Sequence, residues 1–386
     1  MANHTVAGNT LSVAANVPPT TATHGPPSAR VHAQLSAAVD DTLIDFLSTE
    51  LSALDVIDPA LQPFAQIARD TVLGGGKRLR PVFAHSGWRG VVGPDAALAP
   101  VLPALAALEL LHTFALIHDD VMDASATRRG RPTAHQRLAG QHRDAGRTGD
   151  ADRFGEAAAV LVGDLCLVWA DRLLAMADVP ASTMRQVRRC YDQMRVETIA
   201  GQYLDVLGET DAGNWSVDRA LRVARHKTAC YTVLRPLQLG AALAGPAADP
   251  PVWDAYRRYG ADVGEAFQLR DDLLGVVGDP ARTGKPAGDD LRTGKPTVLL
   301  LIARELATGA QRAELAAPPV GTGSEVDRWV ARMTEVVVET GAVAKVERMI
   351  EQRVQAALAA VTAAPIDADA RAALTDLAVA ATTRQA

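Results

Sequence analysis

An acidic motif ends an apolar run of the sequence, where Asp119, Asp120 and Asp123 follow residues with helical spacing. Residues three and four apart share one face of a helix, so Asp123 is expected beside both other carboxylates. Carboxylate oxygens suit Mg²⁺, which is usually held by one or two carboxylates together with substrate phosphates. The motif therefore predicts a divalent-cation site. A solvated acidic helix end is the alternative interpretation of this motif alone.

A second acidic pair, Asp271 and Asp272, also lies inside an apolar helical stretch. Helical spacing places Asp271 on one stripe with Gln268 and Gly275, where the small residue would let a ligand approach closely. Two such motifs facing each other in a bundle would repel strongly unless cations and anions lay between them. Two unrelated acidic surface turns are the alternative.

A glycine-rich turn at residues 74–76 precedes Lys77 and Arg80, which would be neighbours on one face of a helix. Such a turn at a helix N-terminus offers free N–H groups and a favourable dipole to an anion. It is not a P-loop, because Arg78 stands where a Ser or Thr should follow the lysine. The pattern indicates a diphosphate site, with a loosened basic turn as the alternative.

Further basic residues follow the two acidic motifs. Arg128 and Arg129 come shortly after the first motif, and two adjacent guanidinium groups could hold two phosphate groups. Lys227 interrupts a helical stretch, whereas Lys285 and Lys295 occupy two similar Thr-Gly-Lys-Pro turns after the second motif. Each lysine alone is better explained as a solvated surface charge. Together with two carboxylate motifs, the basic set indicates binding of phosphate groups.

The elements that must position these residues are predicted to be helices. Apolar residues recur at helical spacing from about residue 31 onward, and alternating β-branched runs are scarce. We therefore predict an all-α fold, in which one bundle of roughly ten or more helices covers residues 31–386. Residues 1–30, rich in Thr, Ala, Pro, Gly and Asn, are predicted to form a flexible leader. Surface loops are predicted at residues 139–155 and at about residues 308–325.

The composition of the chain argues against several classes of protein. The chain has 386 residues, of which 48% are hydrophobic, and a net charge of -6, which argues against disorder and against a general nucleic-acid binder. No transmembrane helix is predicted, because the apolar stretch at residues 96–108 is shorter than a span requires and contains two prolines. Three cysteines without a CxxC pair exclude a thiolate zinc site and fit a reducing compartment such as the cytoplasm.

Taken together, these motifs resemble the trans-isoprenyl diphosphate synthase family. The resemblance covers about residues 32–380 and includes several motifs in the family's order and approximate spacing. They are Gly75–Pro81, Asp119–Asp123 followed by Arg128–Thr133, Gly201-Gln202, Lys227-Thr228 and Phe267–Asp272. The resemblance implies an isoprenoid-synthase-type bundle with a central active-site cavity, and it suggests a homodimer.

The reaction that the resemblance implies joins an allylic diphosphate to isopentenyl diphosphate. The allylic C–O bond ionises, the double bond of the second substrate attacks the carbocation, and the released diphosphate takes up the proton that is lost. Allylic substrates would be dimethylallyl, geranyl and farnesyl diphosphate. Mg²⁺, with Mn²⁺ as a substitute, would act as a Lewis acid on the diphosphate.

The resemblance also implies roles for individual residues. The direct magnesium ligands would be Asp119, Asp123 and Asp271, supported by Asp120 and Asp272. The allylic diphosphate would be held by Arg128, Lys227, Lys285 and Lys295, and isopentenyl diphosphate by Lys77, Arg80, His112 and Arg129. The dipoles near the developing cation would come from Lys227, Thr228 and Gln268. The fifth position of the second motif is Gly275 instead of the family's aspartate, and Asp279 in the following loop is a candidate to replace it.

Product length in this family commonly depends on the positions four and five residues before the first aspartate, here Ala115 and Phe114. Helix geometry places Ala115 one turn beneath Asp119 but does not by itself aim the Phe114 ring into the product tunnel. One bulky and one small residue resemble the pattern of geranylgeranyl diphosphate synthases. Farnesyl diphosphate and longer products are the alternatives.

Three other functions compete with this one. A terpene cyclase would share the magnesium chemistry but would not need a second anion site. A non-catalytic partner subunit could lose its aspartates, whereas this chain keeps the first motif whole. A bundle-type phosphohydrolase would typically need histidines among the carboxylates. His118 precedes Asp119 directly and would therefore point in a different direction from that carboxylate on a helix.

Overall fold

The computed structural model describes residues 27–210, 215–278, 288–316 and 323–382. Within these residues the chain is almost entirely helical. The α-helices are α1 Pro27–Ile57, α2 Gln62–Val72, α3 Leu79–Val92, α4 Leu102–Met122, α5 Ala134–Asp144, α6 Ala151–Ala175, α7 Ala181–Thr210, α8 Val217–Ala224, α9 Arg235–Leu243, α10 Pro250–Val277, α11 Asp289–Thr293, α12 Val298–Leu306, α13 Gly309–Ala316, α14 Ser324–Glu339, α15 Ala342–Thr362 and α16 Ala368–Thr382. Short 3₁₀ turns lie at Pro59–Leu61 and Gly245–Ala247, and a π-helical segment, Arg225–Leu234, joins α8 to α9.

The prediction of an all-α fold is confirmed. Among the described residues, the strands are limited to a small antiparallel hairpin made of β1 Thr127–Arg128 and β2 Arg131–Pro132. The hairpin turns at Arg129 and Gly130, both with positive φ. It carries the arginines that follow the first acidic motif.

Helix α4 lies at the centre of the larger core. It is apolar on most of its surface, and residues such as Leu105, Leu108 and Leu110 are fully buried. By length and composition α4 could cross a membrane, but in the structure it is a core helix packed on α6. Burial of each such leucine stabilises the fold by about 1.5–3 kcal/mol. This core fixes the position of the acidic motif at the end of α4.

Two glycines let α3 and α9 pack backbone to backbone. A Cβ on Gly87 would lie 2.3 Å from the Leu237 carbonyl oxygen, and one on Gly240 would lie 2.0 Å from that of Ala84. The hydroxyl of Tyr256 on α10 donates to the Gly87 carbonyl at 3.0 Å. The close contact therefore anchors α10, the helix of the second acidic motif, to the larger core.

A second, smaller core lies on the other side of α10. Leu269 and Leu273 of α10 pack there with apolar residues of α12, α14 and α15, including Ile302, Val336 and Val346. Helix α10 thus contributes to both cores. Its polar residues Gln268 and Asp271 are only partly buried.

Several predicted boundaries are wrong. Helix α1 begins at Pro27, so residues 27–30 of the predicted leader are helical; Pro is tolerated in a first helical turn, and Ala and Arg favour helix. The predicted loop at residues 139–155 is mostly helix, because α5 continues to Asp144 and Asp150 caps α6 by accepting from the N–H groups of Asp152 and Arg153. Helix α13 occupies residues 309–316 of the second predicted loop. Residues 1–26, Asp279 and Lys285 lie outside the described residues.

Candidate active site

The first acidic motif lies at the C-terminal end of α4. Asp119 and Asp120 are in the last turn, and Asp123 caps the helix by donating its N–H to the Asp119 carbonyl at 2.8 Å. Burial and the neighbouring Asp119 carboxylate raise the pKa of Asp123 to about 6. Like charges held this closely favour a bound cation or a shared proton.

Asp119 is surrounded by donors from three other elements. Its carboxylate accepts from Lys227 Nζ at 3.0 Å, from Gln202 Nε2 at 3.1 Å and from Arg128 Nη2 at 3.4 Å. Burial alone would raise the pKa of Asp119, but Lys227 and Arg128 outweigh it and hold the pKa below its usual value. Asp119 therefore remains ionised.

Arg128 reaches the same motif from the β-hairpin. Its Nη2 lies 2.6 Å from Oδ1 of Asp120, which is buried. The neighbouring Arg129 turns the other way and donates to the carbonyl of Gly75, in the glycine-rich turn. The hairpin thus places adjacent arginines on different sides of the site.

Asp205 is central to the site but was not predicted from the sequence. Its Oδ2 accepts from Lys227 Nζ and from Lys295 Nζ, each at 2.6 Å. Asp205 is buried on α7, three residues after Gln202 and therefore on the same helix face. That spacing, next to the Gly201-Gln202 motif, was the signal that could have revealed it.

Lys227 and Thr228 lie on the π-helical segment Arg225–Leu234. The interruption that the sequence predicted is therefore a widened helical turn, a feature that often marks functional sites. A Cβ on Gly201 would lie 2.3 Å from the Lys227 backbone nitrogen, so only glycine lets α7 approach this turn. Close approach brings Lys227 to both Asp119 and Asp205.

The second acidic motif is connected to this cluster through Lys295. Asp272 accepts from Gln268 Nε2 at 2.8 Å and from the Val298 N–H at 3.3 Å. Burial, followed by the Asp290 carboxylate, raises the pKa of Asp272 to about 8. Lys295 donates its N–H to the carbonyl of Asp290 at 3.1 Å, while its side chain reaches Asp205. The connection before α12 therefore joins the surroundings of both motifs.

A separate basic cluster lies next to the first motif. Arg80 stacks 4.1 Å from the centroid of the Tyr231 ring, and the Tyr231 hydroxyl lies 3.4 Å from His112 Nδ1. Arg80 donates to Thr232 Oγ1 at 2.9 Å, but its buried Nε has no hydrogen-bond partner among the described residues. Burial, then Arg80 and Arg129, keep the pKa of His112 well below its usual value. The positive charge of this cluster and the unused N–H of Arg80 together favour binding of an anion.

The glycine-rich turn differs from its predicted form. Helix α3 begins at Leu79, and Gly76 and Arg78 have positive φ, so Lys77 precedes the helix and does not share a helical face with Arg80. Arg78 has a structural role, since it is buried between Glu109 and Asp40 at 2.7 Å from each. The turn still brings Lys77 to the start of the helix that carries Arg80.

Phe114 and Ala115 lie one turn before the first motif. The buried Phe114 ring packs edge-on against His118 with ring centroids 4.7 Å apart, and Ala115 is partly buried against the larger core. His118 is held on the α6 side by its Nε2 contact with the Val160 carbonyl at 2.9 Å. Phe114 therefore lies towards α6, and His118 faces away from the carboxylate cluster.

Similarity to known proteins identifies the family of this chain. The polyprenyl synthetase family model matches residues 62–327. The chain belongs to the polyprenyl synthetase family. It is 36% identical to the geranylgeranyl diphosphate synthase of Mycobacterium tuberculosis over 76% of this chain and 77% of that relative. It is 32% identical to the geranylfarnesyl diphosphate synthase of Aeropyrum pernix, over 74% and 86% of the two chains.

Solved structures support the same assignment. The geranylgeranyl pyrophosphate synthase from Corynebacterium glutamicum, determined with isoprenyl diphosphate and magnesium, superimposes with a TM-score of 0.86 at 40% identity. The match covers 91% of this chain and 99% of that chain. This member of the polyprenyl synthetase family is therefore a trans-prenyltransferase, which condenses isopentenyl diphosphate with allylic diphosphates.

Proposed function

We propose that this trans-prenyltransferase is a magnesium-dependent enzyme that makes all-trans geranylgeranyl diphosphate, the C20 product. The proposal rests on the presence of two separate clusters. In the first, Lys227 bridges the carboxylates of Asp119 and Asp205, and Lys295 also pairs with Asp205. The second cluster surrounds Arg80 and His112. Two diphosphate substrates need two such sites. A terpene cyclase would use one, so the second cluster favours the synthase.

The carboxylate cluster fits magnesium by its donor set. Asp119, Asp123 and Asp271 offer hard oxygen ligands. Burial and the neighbouring Asp119 carboxylate raise the pKa of Asp123 to about 6, and a cation bound between these carboxylates would offset both effects. Asp120 and Asp272 would support them from buried positions. When bound, Mg²⁺, or Mn²⁺ in its place, supplies Lewis-acid stabilisation of the leaving diphosphate.

Cations of this chain would complete the allylic diphosphate site. Arg128, Lys227 and Lys295 each pair with an aspartate of the cluster, so they stand within reach of an anion bound there. Lys285, outside the described residues, stays a prediction of the same role. These side chains would exchange aspartate partners for phosphate oxygens when the substrate binds.

Isopentenyl diphosphate would bind at the other cluster. Arg80 and Arg129 supply guanidinium groups, Lys77 precedes the same helix, and the unused Arg80 Nε offers a ready donor. His112 is neutral before binding, and an adjacent diphosphate would raise its pKa again. The oriented dipoles of Lys227, Thr228 and Gln268 would face the developing allylic cation.

A homodimer is part of the proposal. Leu161 and Val168 of α6 are more than half exposed and lie seven residues apart on one face. On α7, Ile199 and Tyr203 are exposed one turn apart, and α6 and α7 are joined by the Arg188–Asp171 ion pair. Such a broad apolar surface is typical of a protein interface. A cytoplasmic location is likewise proposed, with isopentenyl and allylic diphosphates as partners.

The proposal is tested by product analysis. Purified protein is incubated with isopentenyl diphosphate and dimethylallyl, geranyl or farnesyl diphosphate, with Mg²⁺, with Mn²⁺ or with excess chelator, and the dephosphorylated alcohols are separated. We expect a C20 alcohol that disappears with the chelator, and a loss of about 100-fold or more in Asp119→Ala and Asp271→Ala. A C15 product, or a product longer than C20, would replace the chain-length assignment. No product under any condition would favour a non-catalytic partner subunit.

A further inference from the structure

Gly275 is the one position where the second acidic motif departs from its family pattern, and the space above it is filled by another residue. A Cβ placed on Gly275 would lie 2.5 Å from Oδ2 and 3.1 Å from Cγ of Asp290. Real side chains do not approach this closely. A side chain at position 275 would therefore have to push the Asp290 carboxylate out of its present place.

The backbone holds Asp290 in this place. The Gly288 N–H donates to the Gly275 carbonyl at 3.0 Å, which fastens the start of α11 directly to α10. Gly288 has a φ of 75°, a conformation that favours glycine and turns the chain towards Asp290. At the other end of this short helix, the Lys295 N–H donates to the Asp290 carbonyl at 3.1 Å. One turn thus presents both the Asp290 carboxylate and the Lys295 ammonium group.

Asp290 lies close to where the family's fifth carboxylate would be. Residue 275 follows Asp271 by one helical turn and shares its face. A carboxyl carbon on residue 275 would stand about 1.5 Å from its Cβ, which puts it within about 5 Å of the Asp290 Cγ. The Asp290 carboxylate therefore lies beside the second motif.

We propose that Asp290 replaces the carboxylate that Gly275 lacks and, together with Asp271, holds magnesium at the second acidic motif. This inference rests on the proposed function, because it assigns one more ligand or water-binding oxygen to the same magnesium site. It removes the need for Asp279. It also explains why glycine occurs at position 275, since any larger residue would displace the carboxylate.

The test moves the carboxylate from one residue to the other. Four proteins are compared: the parent, Asp290→Ala, Gly275→Asp, and the double variant Gly275→Asp with Asp290→Ala. The first readout is the Mg²⁺ concentration that gives half-maximal thermal stabilisation in the presence of inorganic diphosphate. The second is the Mg²⁺ concentration that gives half-maximal turnover.

Asp290→Ala is expected to raise both Mg²⁺ midpoints by about 10- to 100-fold. The double variant is expected to return them close to the parent values. Gly275→Asp alone is expected to lower the melting temperature, because its side chain meets Asp290 and adds a like charge. Asp327→Ala is the matched control, since Asp327 pairs with Arg292 of α11 at 2.8 Å but is exposed; it should leave both midpoints unchanged.

Two results would overturn the inference: an unchanged midpoint in Asp290→Ala, or a raised midpoint that the double variant does not restore. Asp290→Asn keeps the shape of the side chain and serves in the same assay if the alanine variant does not fold. Asp271→Ala separates this failure from failure of the proposed function. If Asp271→Ala raises the midpoints and Asp290→Ala does not, only the role of Asp290 is wrong. If neither changes them, the magnesium site itself is wrong.

Discussion

Asp205 on α7 accepts a hydrogen bond from Lys295 Nζ at 2.6 Å, although the two residues are far apart in the chain. The same carboxylate oxygen accepts from Lys227 Nζ. Burial alone would lower the pKa of Lys295, but Asp205 and then Asp123 outweigh it and raise the pKa. Asp205 therefore holds two ammonium groups at the edge of the first acidic motif.

Asp205→Asn should lower kcat/KM for the allylic substrate by about 10- to 100-fold, because a neutral amide cannot hold both lysines in place. The measurement is steady-state kinetics at saturating Mg²⁺, with thermal melting as a check of the fold. Asp192→Asn is the control, since Asp192 is an exposed residue of the same helix that pairs with Arg195. Equal kinetics in both variants would contradict the role of Asp205.

Phe114→Ala should lengthen the product beyond C20, because under the proposed function the growing chain would end against this buried ring. Phe114→Leu should give a mixture of C20 and longer products. Chromatography of the dephosphorylated alcohols measures both. Phe83→Leu is the control, because Phe83 is a fully buried residue beside Tyr259; it should lower stability and leave product length unchanged. An unchanged product in Phe114→Ala would show that Phe114 does not limit chain length.

Leu161→Glu should convert a dimer into a monomer. If each protomer buries Leu161 at the interface, replacing both copies removes about 3–6 kcal/mol, which weakens dimerisation roughly 100-fold or more. Light scattering over a range of protein concentrations measures the change. Leu306→Glu introduces the same charge at an exposed leucine on α12 and should leave the mass unchanged. A parent protein that is monomeric at all concentrations would refute the interface.

Stability should fall in acid partly because of His85. Burial, then the nearby Arg89, lower the pKa of His85 to about 4, and its Nε2 accepts from Arg89 Nε at 3.3 Å beside the Trp88 ring. The unfolded state takes up this proton first, so the contribution of His85 is complete above about pH 6.5 and falls as pH drops towards 4. By about pH 4 the free energy of unfolding should have lost roughly 3 kcal/mol through His85.

His85→Gln removes this titration, so the difference in free energy of unfolding between parent and variant should change between pH 8 and pH 5. Denaturant unfolding at the two pH values measures it. The parent should lose more stability than the variant on going to pH 5. A pH-independent difference would show that His85 contributes packing alone.

The sequence predicted the parts of the site that depend on local spacing. Asp119 and Asp271 were predicted as candidates because each lies at a fixed interval within an apolar helix, and the role of Asp271 stays a prediction. Asp205 could not be predicted in this way, since in isolation it is one more acid on a polar helix, and its lysine partners come from distant segments. The same limit applies to Lys77, whose separation from α3 depends on the positive φ values of Gly76 and Arg78.

The loop boundaries show the same contrast between what local sequence predicts and what tertiary packing decides. The interval around residues 139–155 has a composition typical of a loop, but packing of α5 on α6 and the cap at Asp150 extend both helices into it. The all-α fold, by contrast, follows from periodicity repeated over the whole chain. Local composition was the weaker guide wherever tertiary packing opposed it.

The π-helical segment Arg225–Leu234 has a consequence for how this active site tolerates insertions and deletions. A π turn contains about one residue more than an α turn, and each residue in an α-helix advances the direction of its side chain by about 100°. Loss of a single residue there would rotate Lys227 and Thr228 out of phase with α9 without altering either side chain. Segment length, and not only residue identity, thus sets the angular register of the site.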